Sequence, residues 1–200
     1  MTALEHEARQ LVVPVIYGSV RSERQGIKAA RFVVAELARR GCDAVLIDPL
    51  QYTLPLLDKM YKEYDPGTAP AQLEELGALY KRADGFAIVC GEYNHSIPPA
   101  LSNLLDYFLE DYDFRPSAIV CYSGGYFGGV RAAMQLRAML CELGTSSIPS
   151  LLPIPHVARA FTDAGVPTDS TFAGRHDLFF KEFIWYMEAL RDKRKSGVPY

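Results

Sequence analysis

Short apolar segments alternate with helix-like segments along the whole chain, and this alternation constrains the fold more than any other feature. Residues 11–17, LVVPVIY, are almost continuously apolar, as is typical of a strand covered on both faces. Residues 27–41 then show apolar residues at helical spacing and end at Gly41. The same alternation predicts further strands at 44–48, 85–90, 117–122 and 146–154, and further helices at 72–83, 98–111, 130–143 and 174–195.

This order of elements predicts an α/β protein with a doubly wound, five-stranded parallel sheet and helices on both faces. We expect a single domain over residues 1–200, with residues 1–10 as a flexible N-terminus. A chain of 200 residues with 49% hydrophobic and 22% charged residues can bury a sizeable core. Pro149 and Pro153 in the fifth predicted strand favour a position at the edge of the sheet.

Charge and cysteine content exclude several classes of protein. The formal net charge is −3, which predicts no general attraction to nucleic acid or to an anionic membrane. No apolar run approaches the roughly 18 residues that span a bilayer, and the N-terminus has no apolar signal core, so we expect a cytoplasmic location. Four widely spaced cysteines without a C-x-x-C pair predict neither a disulfide framework nor a metal site. Cys90 and Cys121 end apolar runs, which favours buried, inert thiols.

Three predicted loops should meet at one edge of the sheet. In doubly wound sheets, ligands bind outside the carboxyl ends of the strands, near the point where the strand order reverses. The loops that follow the first, third and fourth strands are GSVRSERQG (18–26), GEYNHSIPP (91–99) and SGGYFGGV (123–130). We therefore expect a ligand site between them.

The first of these loops carries the chemistry of a phosphate site. Arg21 and Arg24 precede a helix N-terminus, where free N–H groups and the helix dipole favour an anion. The loop lacks G-x-x-x-x-G-K-[ST], which argues against a nucleoside triphosphatase. It also lacks G-x-G-x-x-G, so an NAD-type Rossmann site is weakly supported, although Asp48 after the second strand could bind a ribose.

The other two loops combine aromatic and polar groups. Tyr93 can stack on a planar ring while Asn94 binds its polar edge, and Ser96 with the following prolines fixes the entry into a helix. His95 could serve as a catalytic acid, but an ordinary surface histidine is favoured. In the glycine-rich loop, two aromatic residues either cover a flat ligand or fold back into the core, and the sequence favours neither. Ser123 is not part of a G-x-S-x-G elbow, which argues against a hydrolase.

Taken together, the three loops resemble those of the NAD(P)H-dependent FMN reductase family, which includes bacterial quinone, azo-dye and chromate reductases. The resemblance runs from Leu11 to Leu190, and its most specific part is EYNHSIPPALSNLLD at 92–106. This segment is similar to the family signature P-E-Y-N-x-S-x-P-x-x-L-K-N-x-x-D. Two positions depart from the signature: Gly91 replaces proline, which leaves the loop less rigid, and Ser102 replaces lysine, which removes a cation near the rim.

The resemblance implies a flavodoxin-like fold with bound FMN, and NADPH or NADH as co-substrate. It implies no catalytic side chain and no metal, because the flavin carries the chemistry. The residues that would hold the FMN phosphate are Ser19, Arg21, Arg24, Gln25, Gly26 and Ile27. The residues that would line one edge of the isoalloxazine ring are Glu92, Tyr93 and Asn94, with Ser123, Gly124 and Gly125 nearby.

The resulting prediction is an oxidoreductase that passes hydride from NAD(P)H to FMN and on to a small acceptor, such as a quinone, free flavin, azo dye or metal oxyanion. Two alternatives stay open: a flavodoxin-like electron carrier that serves a protein partner, and a Rossmann-type NAD(P) protein. Electron carriers of this fold are usually more acidic, which disfavours the first alternative. The last predicted helix is apolar over a broad arc, and the family is oligomeric, so we expect a homodimer or homotetramer.

Overall fold

The computed structural model describes residues 9–169 and 172–200, so most of the predicted flexible N-terminus lies outside the described residues. Within this part of the chain, five strands form one parallel sheet. The strands are β1 (Val12–Tyr17), β2 (Asp43–Ile47), β3 (Phe86–Gly91), β4 (Pro116–Tyr122) and β5 (Ser146–Ile154). The helices are α1 (Gly26–Arg39), α2 (Ala71–Arg82), α3 (Pro99–Asp106), α4 (Val130–Glu142), α5 (Val157–Ala160) and α6 (Ala173–Arg194).

The strand order is β2-β1-β3-β4-β5, which is the flavodoxin-like order of doubly wound sheets. The predicted fold class is therefore confirmed. Strands β1, β3 and β4 are buried along their full length, which explains why their sequences are almost continuously apolar. The strand order reverses between β1 and β3, and the loops after these strands leave the sheet side by side.

The helices cover both faces of the sheet. Helices α1 and α6 pack on one face, where Phe32 and Phe183 belong to one buried cluster. Helices α2, α3 and α4 pack on the other face, in a cluster that includes Tyr80, Leu105 and Leu136. Within the described residues, none of the helices has both the length and the apolar character needed to cross a membrane.

Two helical segments differ from the sequence-based prediction. Helix α3 ends at Asp106, although the apolar spacing continues to Leu109. Phe108 is still buried, with its ring 4.2 Å from that of Tyr80, so a residue outside the helix completes the apolar pattern. Helix α5, a single short turn after β5, was not predicted.

Candidate functional site at the carboxyl edge of the sheet

The loops after β1, β3 and β4 meet at one cavity of about 220 Å³, at the point where the strand order reverses. Of the twelve predicted site residues, Ile27, Asn94 and Gly125 are not part of its lining, and the other nine are. The lining also contains residues that the sequence did not single out. The full lining is Ser19, Arg21, Glu23, Arg24, Gln25, Gly26, Glu92, Tyr93, Tyr122, Ser123, Gly124, Val157 and Ala158.

The two arginines of the first loop have different environments. Arg24 forms a two-pronged ion pair with the buried Asp48: its Nη2 donates to Oδ2 at 2.6 Å, and its Nη1 donates to Oδ1. The same Nη1 donates to the Ser19 carbonyl at 3.1 Å. Arg21 is exposed, and its side chain has no hydrogen bond or ion pair among the described residues. Arg24 therefore holds the loop in shape, whereas the charge of Arg21 is free for a ligand.

The position of Asp48 bears on the Rossmann alternative. Asp48 as a whole is 4% exposed, and its carboxylate also accepts the N–H of Leu50 at 3.0 Å. Because both carboxylate oxygens are bound within the protein, Asp48 is poorly placed to bind a ribose.

The N-terminus of α1 opens into the same cavity. No side chain caps this helix at Gln25, and the first N–H groups of a helix have no partner within it. These groups, together with the helix dipole, favour an anion. Gly26 lies against the ring of Tyr122, since a Cβ at position 26 would stand only 2.0 Å from a ring atom.

The loop after β3 forms a tight hairpin. The N–H groups of Tyr93 and Ser96 each donate to the other residue's carbonyl, at 3.0 and 2.9 Å. Asn94 and His95 between them have φ values of 50° and 64°, as in a type I′ turn, and Asn is one of the residues that adopt this conformation most readily. The Ser96 hydroxyl donates to the Gln135 side chain at 2.8 Å, so Ser96 anchors the hairpin to α4.

Of the residues predicted to fix the entry into the next helix, the two prolines do so, whereas Ser96 does not cap the helix. Pro98 is the N-cap of α3 and Pro99 its first residue. Proline suits this position because it lacks an N–H and its φ is already helical.

Two contacts join the loops to each other and to α4. The hydroxyl groups of Ser19 and Tyr93 lie 3.0 Å apart in a hydrogen bond that connects the first loop to the hairpin. The Glu92 carboxylate accepts the backbone N–H of Arg131 at 3.3 Å and lies 3.5 Å from the Arg131 guanidinium. Glu92 therefore caps the N-terminus of α4, so its carboxylate is not free for a ligand.

The glycine-rich loop is closely packed at its base and open at its tip. Gly129 has a φ of 83°, and a Cβ there would stand 2.7 Å from the backbone of Tyr122. A Cβ at Gly124 would meet no atom within 4 Å. Tyr126 and Phe127 at the tip are 79% and 57% exposed, so these aromatic rings do not fold back into the core.

Tyr122, the last residue of β4, forms part of the floor of the cavity and was not predicted. Its ring also lies against Gly91, where a Cβ would stand 2.9 Å from the ring. The ring of Tyr122 thus occupies the space that a larger residue at position 91 would need, which fits the glycine found there in place of the family's proline. Burial raises the pKa of both Tyr122 and the neighbouring Tyr17, so these phenols stay un-ionised at neutral pH. The apolar pattern of β4 does not distinguish Tyr122, as a site residue, from an ordinary buried strand residue.

The segment after β5 closes the remaining side of the cavity with Val157 and Ala158. His156 precedes them at a φ of 49°, and its backbone N–H donates to the Gly125 carbonyl at 3.1 Å. The sequence could have predicted this segment as part of the site, because ligands bind at the carboxyl ends of the strands and β5 ends at the same edge of the sheet.

The buried cysteines behave as predicted. Cys90 and Cys121 are register neighbours on β3 and β4. Burial raises the pKa of the Cys121 thiol to about 12 and that of Cys90 further still. Both are therefore protonated and unreactive at neutral pH.

The residues present fit a flavin mononucleotide. The uncapped N-terminus of α1 and the unpaired Arg21 suit a phosphate, and the open backbone at Gly124 lets a flat ring approach closely. Tyr93, held by Ser19, offers an aromatic face and a polar group beside the ring position. Together, the strand order and this edge define a doubly wound, flavodoxin-like protein with its ligand site at the switch point.

Comparison with known proteins identifies the family. The family model described as NADPH-dependent FMN reductase matches residues 12–159, and the chain belongs to this family of oxidoreductases, which use FMN and NAD(P)H. The NAD(P)H-dependent FMN reductase ntnL of a Nectria species is 32% identical over 138 residues, which cover 64% of this chain and 66% of the relative. The chain thus spans about two thirds of that relative's length.

A second relative and a solved structure agree with this assignment. A quinone reductase of Pseudomonas putida is 29% identical over 167 residues, or 80% of this chain and 86% of the relative. The structure of FerB from Paracoccus denitrificans, described as a flavoenzyme NAD(P)H:(acceptor) oxidoreductase, has a TM-score of 0.70 at 22% identity. That match covers 88% of this chain and 97% of FerB, and it shows a shared fold.

Proposed function

We propose that this protein is an FMN-dependent NAD(P)H oxidoreductase that reduces a small acceptor, such as a quinone, free flavin, azo dye or metal oxyanion. The observation that carries this proposal is the cavity at the β1–β3 switch point, which three loops line and in which the Ser19–Tyr93 hydrogen bond ties the first loop to the hairpin. The similarity to a quinone reductase over 80% of the chain supports a quinone as one acceptor.

The proposed roles of the site residues follow from their partners. Arg21 meets the phosphate charge, and Arg24 keeps the loop in the shape that this contact requires. Tyr93 would lie at the edge of the flavin ring, where the hairpin turn holds it, and Asn94 would reach that edge from outside the cavity lining. The remaining predicted residues of the lining would contribute backbone or packing contacts around the same ligand, and these are Ser19, Gln25, Gly26, Glu92, Ser123 and Gly124. Ile27 and Gly125, outside the lining, would support these neighbours along the chain.

Bound FMN would supply the hydride-transfer chemistry, so the protein's part is binding, orientation and the exclusion of water. The neutral phenol of Tyr122 forms part of the floor without adding charge near the phosphate. The exposed ring of Phe127, with the Arg131 guanidinium 4.2 Å above it, lies where an acceptor would approach.

The test combines a visible spectrum with turnover. After incubation with FMN and removal of the free flavin, the protein should keep a flavin absorbance band and oxidise NADPH or NADH in the presence of benzoquinone. A protein that retains no flavin would overturn the proposal. A protein that binds FMN but oxidises neither nicotinamide would instead be an electron carrier.

We further propose one domain over residues 1–200 and self-association into a homodimer or homotetramer. The apolar arc of α6 supports self-association only in part, because Phe183 and Met187 are buried in the core. Leu178 and Trp185 on the same helix are 71% and 62% exposed and are available for a subunit contact. Sedimentation that shows only the 22.3 kDa species at micromolar concentration would contradict self-association.

A further inference from the structure

A second cavity, of about 740 Å³, lies at the opposite edge of the sheet from the proposed flavin site. Arg9 precedes β1, Arg82 ends α2 shortly before β3, and Arg115 precedes β4. Arg191 and Arg194 lie in the last turn of α6. The amino ends of three strands and the C-termini of two helices therefore surround this space.

The lining of this cavity is strongly positive although the chain as a whole is negative. Seven of its ten lining residues are arginine or lysine and two are aspartate, which leaves five unbalanced positive charges against a net charge of −3 for the chain. The lining consists of Arg9, Lys81, Arg82, Ala83, Asp84, Arg115, Arg191, Asp192, Arg194 and Lys195.

One buried carboxylate serves two of these arginines. Asp84 has a fully buried side chain and accepts Arg9 at 3.0 Å and Arg194 at 3.1 Å. The backbone N–H of Val12 donates to the same carboxylate at 3.0 Å. A single negative charge is thus shared by two guanidinium groups, which leaves a surplus of positive charge.

Backbone carbonyls hold Arg115 and Arg191 without neutralising them. Arg115 donates to the Ala83 carbonyl at 2.8 Å, and Arg191 donates to the Arg9 carbonyl at 2.7 Å. Arg191 also has a buried Nε without a hydrogen-bond partner among the described residues. Burial lowers the pKa of Arg115 and of Arg194, and nearby arginines lower that of Arg194 further, as expected where positive charges repel. Carboxylates therefore compensate only part of the positive charge around this cavity.

We propose that this cavity, lined by seven cations and two aspartates, binds a small, multiply charged anion with phosphate groups. Guanidinium groups match phosphate oxygens in a two-pronged geometry, and several fixed cations around one concavity favour an anion of more than one charge. A concavity of about 740 Å³ suits a small anion, whereas a membrane or a nucleic acid duplex would require an extended basic surface. The phosphate groups can be free or can belong to a nucleotide.

The test measures binding of inorganic pyrophosphate and of ADP by calorimetry, with excess FMN present to fill the phosphate site at the other edge. The informative variant is Lys81→Gln combined with Arg82→Gln, because both side chains are exposed and line the cavity. The control is Lys59→Gln combined with Lys193→Gln, which removes the same charge from exposed positions outside the lining. Unchanged melting temperatures would confirm that each variant is folded.

We expect wild-type protein to bind pyrophosphate and the Lys81–Arg82 variant to bind it about 10- to 100-fold more weakly, as the loss of one or two charge-assisted contacts predicts. The control variant should stay within about 3-fold of wild type, a change of less than 1 kcal/mol. Much tighter binding of ADP would indicate a nucleotide ligand, and similar affinities would indicate free phosphate groups. Absence of binding to wild type at about 10 mM pyrophosphate, or equal weakening in both double variants, would overturn the proposal.

Discussion

The first loop (18–26) and the glycine-rich loop (123–130) border the same cavity but are built in opposite ways. The first loop is tied down by side chains, through the Arg24–Asp48 ion pair and the Ser19–Tyr93 hydrogen bond. The glycine-rich loop is held by backbone packing at Gly129, and its tip carries exposed aromatic rings. One side of the cavity is thus fixed by specific partners, and the other is open.

This difference corresponds to the two tasks of a flavin reductase. The phosphate of the cofactor is the same in every turnover, so the loop that meets it gains from being preorganised. The acceptor is variable in the family, and exposed aromatic rings can contact flat molecules of different outline. We therefore expect changes in the first loop to alter cofactor affinity, and changes at the glycine-loop tip to alter acceptor kinetics.

The largest expected effect is on stability, at the base of the glycine-rich loop. Gly129→Ala should lower the free energy of unfolding by about 2–4 kcal/mol, because it adds strain at a φ of 83° and a contact 2.7 Å from the Tyr122 backbone. Gly124→Ala in the same loop should change it by less than about 0.5 kcal/mol, since its Cβ meets open space. Denaturant unfolding of both variants is the measurement. Equal losses would show that the base and tip are not built differently.

The next effect separates the two arginines of the first loop. Arg21→Ala should weaken FMN binding about 10- to 100-fold and leave riboflavin binding unchanged, because riboflavin has no phosphate for Arg21 to meet. Arg24→Ala should weaken both ligands and also lower the free energy of unfolding by about 1–3 kcal/mol, because Asp48 loses its charged partner. Fluorescence titration of both flavins decides between these patterns. If Arg21→Ala weakens FMN and riboflavin alike, Arg21 supports the loop and does not bind the phosphate.

These two arginines also show where prediction from sequence ends. The sequence placed both in a phosphate-binding loop, because local spacing identifies a basic turn before a helix. Only the fold shows that Asp48, 24 residues further along, pairs with Arg24 and leaves Arg21 free. The alternation of strands and helices, which is local, predicted the sheet and its edge strand correctly.

The same limit applies to Tyr122 and to the end of α3. Apolar spacing indicates which residues are buried, but not whether they belong to a helix. The spacing continued to Leu109, beyond the end of α3, because Phe108 is buried although it lies outside the helix. Tyr122 reaches the site because its ring lies beside Gly26 and Gly91, which belong to two other segments of the chain. Such side-chain pairings between distant segments cannot be read from one sequence.

A smaller effect tests the link between the first loop and the hairpin. Ser19→Ala and Tyr93→Phe each remove one hydroxyl of the 3.0 Å hydrogen bond, and each should weaken FMN binding by about 0.5–1.5 kcal/mol. The double variant should lose little more than either single variant, because both changes remove the same contact. A complete double-mutant cycle on FMN affinity measures this coupling. Fully additive losses would show that the two hydroxyls act independently and that the loops are not coupled through them.

The smallest expected effect lies at the tip of the glycine-rich loop and concerns kinetics. Tyr126→Ala removes a ring that is 79% exposed and whose centroid lies 5.9 Å from that of the Phe127 ring. The free energy of unfolding and the FMN affinity should each change by less than about 0.5 kcal/mol, because neither the core nor the phosphate contacts are touched. The KM for a quinone should rise about 2- to 5-fold, or less than about 1 kcal/mol, as the loss of one exposed stacking contact predicts. The KM for NADPH serves as an internal comparison in the same steady-state measurements.

A change confined to the quinone KM would assign this tip to acceptor recognition, whereas equal changes in both would make it a general cover over the flavin. An unchanged quinone KM, or a loss of FMN affinity, would contradict the division between a fixed cofactor side and an open acceptor side.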